Sequence, residues 1–351
     1  MSRRVAGLLL LLAALPAGAA EVRGGGRVWA GVGVDTNARR DYTSPGVPTL
    51  PDGFVFGLGH LQGLVLFAER FRLLGTYDIA GRKFFLLPSE DTLVQDGSLE
   101  LSASVARVLN LGLQGRVRDR RGAERDYTDL TGGVVLDFLP TDDLDVRLTF
   151  GAHRFIYWQR FDYSYFGPEG VLSARYRFTR RHSISVFGSF IPRTYNADAR
   201  PPPPADGEPE PPVVVRHDSY FTAGAGYSYR GPFHLSAGYA YYDQTSNSYG
   251  ETIRRHRLNL TAGVQLPWKL TLLTSLTAQF SNFPQGVYLS PDLTVVEDDE
   301  SASSLTVKLL RPLTKHIELD VRYAGYLNFL PQNDFRYLRH VVSAGLSVAI
   351  P

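Results

Sequence analysis

Between Arg255 and Phe280 the chain reads RHRLNLTAGVQLPWKLTLLTSLTAQF, with Arg255, Arg257, Asn259, Thr261 and Gln265 on alternate positions. Side chains repeated at period two leave one face of an extended chain. A row of guanidinium groups on such a face holds carboxylate or phosphate through paired N–H donors. Carrying the alternation along the chain puts Arg27, Arg116, Arg118, Arg147, Arg175, Arg177, Lys308, Arg322 and Arg339 on that same face. Glu100, Asp137, Asp145, Glu318 and Asp320 share it, so cations are in excess there. Enclosed in a low-dielectric wall, that excess lowers the barrier to anions and raises it for cations. The competing arrangement is a closed interior whose arginines and carboxylates form ladders, with Arg147 beside Asp145 and Arg322 beside Asp320 as rungs.

Catalysis finds less support. A nucleophilic serine needs a nearby histidine and a group to orient it. His182-Ser183 falls at a turn, and His153 lies on the charged face with no evident serine partner. His256 and His340 belong to the apolar face, and Asp142-Asp143 occupies a turn, an ordinary place for aspartate. There is no Gly-x-Ser-x-Gly elbow, His-x-Ser-type lipase motif, phosphate loop or metal-ligand spacing, so no catalytic residue, cofactor or metal is expected. Residues 297–300, Glu-Asp-Asp-Glu, offer hard oxygen ligands but lack the spaced ligands and glycine of a calcium loop, and read as a solvated tip.

The elements that carry the charged face are strands. Alternating segments recur over 26–35, 54–68, 72–81, 97–107, 111–119, 127–139, 144–157 and 168–178. They continue over 183–191, 218–229, 233–243, 252–266, 270–280, 302–310, 316–327 and 337–350. Short connections such as 107–110, 139–142, 180–182, 230–232 and 267–269 alternate with longer polar ones at 36–53, 82–96, 119–127, 158–167, 192–217, 244–251, 281–301 and 328–336. A barrel standing in a membrane sorts its connections in this way, whereas a soluble sandwich meets the same solvent at both ends. The fold expected is all-β: a transmembrane, antiparallel, up-and-down β-barrel of about sixteen strands. Its Leu, Val and Ala face meets lipid, so Leu144, Val146, Leu148 and Phe150 point out while Asp145, Arg147 and Thr149 point in. Closure leaves no backbone group unpaired in hydrocarbon.

The first twenty residues suit export. Arg3-Arg4 precede an apolar run from Val5 to Leu15 and the small residues Ala17-Gly18-Ala19-Ala20, the pattern of a secretory signal peptide. The expected organisation is a leader over 1–20 and one barrel domain over 21–351. Cysteine is absent, so disulfides do not hold the fold. With 37 Lys+Arg against 35 Asp+Glu, net charge gives no reason to expect a nucleic-acid partner. The 200–212 segment is Pro-rich and reads as an extended, solvated loop.

The closing stretch, HVVSAGLSVAIP, sets Ser343, Gly345, Val348 and Ile350 in the order polar-x-Gly-x-x-hydrophobic-x-hydrophobic. Here the chain resembles Gram-negative outer-membrane β-barrel proteins, whose last strand carries such a signal for the barrel-assembly machinery. It departs from them at the tip, ending Ile350-Pro351 where the family has an aromatic residue. The later hairpins are loosely similar to exopolysaccharide-export barrels. Tyr229, Phe233, Trp268, Tyr241 and Tyr242 stand near strand ends, where amphipathic rings favour the headgroup level. The resemblance implies outer-membrane lipid and lipopolysaccharide as surroundings. It also implies a channel for hydrophilic solutes, with a small anion or an acidic polysaccharide suited to the basic face. The alternatives are a non-conducting barrel that works through its outer loops, and a lipid-modifying enzyme.

Overall fold

The computed structural model describes residues 21–43, 47–68, 70–122, 125–204, 212–285, 303–330 and 335–350. The expected leader at 1–20, the acidic tip at 297–300 and most of the Pro-rich loop lie outside these residues. Sixteen strands follow in order, the first eight being β1 Glu21–Asp35, β2 Asp52–Phe67, β3 Phe71–Phe84, β4 Thr92–Ala106, β5 Leu109–Arg121, β6 Tyr127–Thr141, β7 Leu144–Tyr157 and β8 Tyr165–Arg177. The second eight are β9 His182–Asp198, β10 Val215–Arg230, β11 Phe233–Ser246, β12 Ile253–Leu266, β13 Leu270–Asn282, β14 Ser303–Pro312, β15 Ile317–Leu330 and β16 Phe335–Ile350. Every neighbour in the chain is an antiparallel neighbour in space, and β1 pairs with β16 to close the barrel. The closed sheet has no open edge to satisfy.

All sixteen expected strands are present, and most run two to seven residues further than the alternation indicated. The extra residues come from the outer connections, so 244–251 shrinks to 247–252 and 328–336 to 331–334. Long and short connections still alternate, except that the last outer one is no longer than the inner turn at 313–316.

Burial fixes the inside. Asp35, Phe54, Val135, Asp218, Arg339 and Ser347 are at most 2% exposed, and only the interior of a closed barrel can cover them. Paired residues share a face, so each strand's register follows from these anchors. On that register Val28, Val32, Leu61, Leu113, Phe150, Val186, Leu258 and Leu346 all point outward, and all are exposed large apolar side chains. The apolar face is thus the outer wall.

The seam between β1 and β16 is tight. Gly31 and Gly345 are directly opposed, and a Cβ on Gly345 would sit 2.5 Å from the Ala30 carbonyl oxygen. Only a residue without a side chain allows the first and last strands to approach so closely. The first outer connection folds back into the mouth. Asn37 and Ala38 are fully buried, Ala38 in an apolar cluster with Phe54, Phe84, Ala324 and Val341 from the inner walls of β2, β3, β15 and β16. Thr43 forms an isolated bridge with Arg336, and Tyr42 lies against Tyr337 with ring centroids 5.7 Å apart.

Candidate functional site in the barrel lumen

The register places Arg27, Arg116, Arg118, Arg147, Arg175, Arg177, Arg255, Arg257, Lys308, Arg322 and Arg339 all on the inward face, as the alternation predicts. Their surroundings differ. Arg147 reaches Glu100 at 2.5 Å and Asp137 at 3.4 Å, with Arg72 on the other side of Glu100 at 2.9 Å. Arg175 meets Asp145 at 3.2 Å, and Arg177 donates to the Asp142 carbonyl at the inner rim. Arg72, Asp137, Asp145, Arg147 and Arg175 line a cavity of about 460 Å³ toward the inner end. The ladder expected as the alternative arrangement therefore exists, but Arg147 pairs with Glu100 and Asp137, while Asp145 takes Arg175.

Elsewhere the partners of the cations vary. Arg255 and Arg257 donate to Ser281 Oγ and Asn259 Oδ1, both at 3.2 Å, so their partners are neutral. Lys308 pairs with Asp320 at 2.6 Å, Arg27 approaches Glu318 at 3.4 Å, and Arg116 binds Asp96. Arg322 stands opposite Lys308. A second cavity, of about 530 Å³, lies here under the inward-folded 36–43 segment, and Arg40, Arg82, Arg118, Arg120, Lys308 and Arg322 line it.

Two expectations need correction. Arg339 faces inward but does not line open space: it is fully buried against Asp35, with Nη2 to Oδ2 at 2.5 Å, because the 36–43 segment covers it. The inner face also carries more charged groups of both signs than the alternation indicates. Asp35, Asp78, Asp96, Asp129 and Asp218 are inward too, as are Arg72, Arg82, Arg120, Arg193 and Arg216. Several of these, including Arg82, Asp96, Arg120 and Arg193, sit just beyond the expected spans; continuing the alternation by one to three residues would have found them.

Arg193 and Arg216 build a separate wall on the β8–β10 side. The Arg193 guanidinium lies 4.4 Å from the Tyr165 ring and 4.3 Å from Tyr220, and Arg216 lies 4.1 Å from Tyr195 while binding Asp218 at 2.8 Å. Tyr242, expected at the headgroup level, instead points inward toward Tyr220 with ring centroids 6.5 Å apart. His153 joins the same wall, its Nε2 2.6 Å from Asp129 and 3.4 Å from the Tyr165 hydroxyl. It meets the Tyr165 ring edge-on, with centroids 5.2 Å apart, and no serine hydroxyl stands beside it among the described contacts. His256 and His340 are outward, bonded to Tyr239 and Tyr323 at 2.7 and 2.8 Å. In the outer connections Glu90 is held above the usual carboxylate range by partial burial, against the pull of Arg40 and Arg125.

Ser343 and Gly345 point inward and Val348 and Ile350 outward, within the strand that closes the barrel. Tyr229 and Phe233 contact each other at the inner end, ring centroids 4.9 Å apart. Trp268 projects from the 267–269 turn on the same end with a left-handed φ of 59°. Phe166 and Phe280, near the outer ends of β8 and β13, are exposed on the outer wall, and Tyr241 stands outward on the same side of the β11 midpoint, giving aromatic rings toward both rims. Amphipathic rings above and below an apolar belt match the two interfaces of a bilayer.

These features define a closed, sixteen-stranded outer-membrane β-barrel, porin-like in fold. Among solved structures, the chain is similar to Salmonella typhi OmpF in complex with daunomycin, with a TM-score of 0.56, 13% identity, and coverage of 94% of this chain and 97% of that one. It also matches a bacterial polysaccharide outer membrane secretin at a TM-score of 0.48 and 10% identity, covering 93% of this chain and 97% of that one. A third match is the deltaS2 mutant of the TodX monoaromatic hydrocarbon channel, at a TM-score of 0.42 and 11% identity, covering 96% and 91%. No known family model matches the chain, and no curated protein matches it in sequence. The likeness to OmpF is one of fold.

Proposed function

We propose that the protein is a passive outer-membrane channel for hydrophilic solutes and that its lumen favours anions. One observation carries the reading: Arg116 and Arg175 point into a closed barrel, yet their side chains are 53% and 54% exposed. Charged groups enclosed by strands but open to solvent need a wet interior, and a barrel of sixteen strands is wide enough to hold an aqueous path. Arg255 and Arg257, bonded to neutral partners, supply positive potential along that path. No residue performs chemistry in this account. Residues 1–20 act as a leader removed on export, and Ser343, Gly345, Val348 and Ile350 present the closing strand to the assembly machinery. An acidic polysaccharide is the large-solute form of the same reading and requires the 36–43 segment to move aside.

Liposome swelling tests the proposal. Vesicles containing the barrel swell in isotonic solutions of a small neutral sugar, and faster with a sugar acid of the same size. A swelling rate equal to that of empty vesicles refutes passage.

The burial of Asn37 and Ala38 inside the mouth favours a second reading, a non-conducting barrel that works through its outer connections. On that reading swelling is absent from well-folded protein and remains absent for a variant lacking residues 37–43.

A further inference from the structure

We propose that the inner rim between β12 and β15 binds an anionic phospholipid of the inner leaflet, with Arg311, Lys269 and Lys315 around its headgroup phosphate. The inference rests on the barrel's place in the outer membrane and is independent of whether the lumen conducts. Arg311 is the anchor. Lys308 and Leu310 point into the lumen, so Arg311 points outward, opposite Leu319 and next to the last residue of β14. It is exposed and has no ion-pair partner among the described residues. A cation on the lipid-facing wall is costly at mid-membrane and nearly free only at the interface, where its stem reaches phosphate.

Two turns bring further cations to it. The ladder of β13 with β14 pairs Thr271 with Leu310, so Arg311 continues it beside Leu270, and Lys269 is the next residue along. Lys315 lies in the following inner turn, 313–316. Both lysines are exposed, neither has an ion-pair partner among the described residues, and neither turn contains a carboxylate. The two carboxylates of β15 are turned inward and engaged: Glu318 meets Arg27 at 3.4 Å, and Asp320 holds Lys308 at 2.6 Å.

The backbone supplies a second, independent observation. Trp268 and Lys269 both take a left-handed φ, 59° and 61°, at turn positions that glycine or asparagine usually fills. Strain of this kind persists where the side chains it presents have a use. Trp268 is 82% exposed, and Leu313 in the next turn is exposed as well. An indole beside an ammonium group suits the headgroup layer, where the ring enters the interface and the cation meets phosphate. Turns this short hold the cations at the level of the rings, which favours headgroup phosphate over a protein deeper in the periplasm.

Quenching of Trp268 by brominated lipid tests the site. Trp29→Phe and Trp158→Phe leave Trp268 as the sole indole of the three in the chain. The folded barrel is placed in vesicles of phosphatidylcholine with a minor fraction of phosphatidylglycerol, the bromine being carried by one lipid or the other. Per mole, brominated phosphatidylglycerol should quench at least about fivefold better than brominated phosphatidylcholine. The preference should vanish in about 1 M salt, where charges act over only about 3 Å. Arg311→Gln, Lys269→Gln and Lys315→Gln together should bring the ratio to one, whereas Arg311→Lys retains the preference. Lys83→Gln, outward at the far end of β3, leaves it unchanged. Retention of the compact, heat-modifiable band on unboiled gels shows that each variant has folded. A ratio of one before the charges are altered, or a preference that survives high salt or the triple substitution, overturns the proposal.

Discussion

Replacing Arg339 by glutamine should unlatch the mouth. Asp35 Oδ2 accepts from Arg339 Nη2 at 2.5 Å, and Oδ1 accepts from the Asn37 backbone N–H at 3.0 Å, so one carboxylate joins β16 to the start of the folded-back segment. Asn37 then donates to the Leu338 and Asp41 carbonyls at 3.3 and 2.9 Å. Both ions are fully buried, and removing one partner of such a pair costs roughly 3–5 kcal/mol; Arg82, 3.8 Å from Asp35 Oδ2, keeps the cost at the lower end. The strand ladders of β1 with β2 and β16 do not depend on this pair, and Asp35 is the last residue of β1. The cheapest response is therefore for 36–43 to lift and let water reach Asp35, not for the barrel to unfold. About 3 kcal/mol is roughly two powers of ten in the closed-to-open ratio. Limited trypsin digestion reads that ratio through cleavage at exposed Arg39 and buried Arg40. For Arg339→Gln, cleavage should speed up on the order of 100-fold with the heat-modifiable band retained, and Asp35→Asn in the same chain should recover part of the protection. Unchanged cleavage in the folded single variant would refute the latch.

Several other outcomes are expected. Gly345→Val drives a side chain into the Ala30 carbonyl across the seam; about 1–3 kcal/mol of overpacking should lower the yield of heat-modifiable barrel, while Ser343→Ala at the same seam does not. Glu90 is held above its ordinary value, so the folded state binds its proton more tightly than the unfolded chain. Stability from this group is thus fullest below the unfolded value and falls as pH rises through the raised one. Tryptic cleavage near Glu90 and Arg40 should be slowest under mildly acidic conditions, a dependence that Glu90→Gln abolishes. Replacing both Arg255 and Arg257 by glutamine should shift the zero-current potential in a salt gradient toward cation preference, because no carboxylate then becomes orphaned.

Much of the fold was legible because period-two alternation is a local property. β7 is found at Leu144–Tyr157 with the expected ends, and Arg147, Arg255 and Arg322 face inward as their strands' alternation requires. The partners of those residues were less legible. Arg147 meets Glu100 from β4, three strands away, and no spacing within β7 shows that rung. Strand ends are harder to place where polar side chains continue the pleat above the lipid, because Arg82, Asp96 and Arg120 have the composition of a loop and the geometry of a strand. The burial of Arg339 depends on how the first connection folds back, which alternation does not address. Tyr242 illustrates the same limit: an aromatic near a strand end can serve the headgroup belt or the inner wall, and only the register relative to Tyr220 decides.

The central claim is that the charged face of this closed sheet encloses a continuous path of water. Single-channel recording of the folded barrel in a planar bilayer measures it directly. The account predicts discrete ohmic steps with a zero-current potential on the anion side, larger when residues 37–43 are removed. A silent bilayer for both the intact chain and that shortened one, with each shown to be inserted and folded, would contradict it.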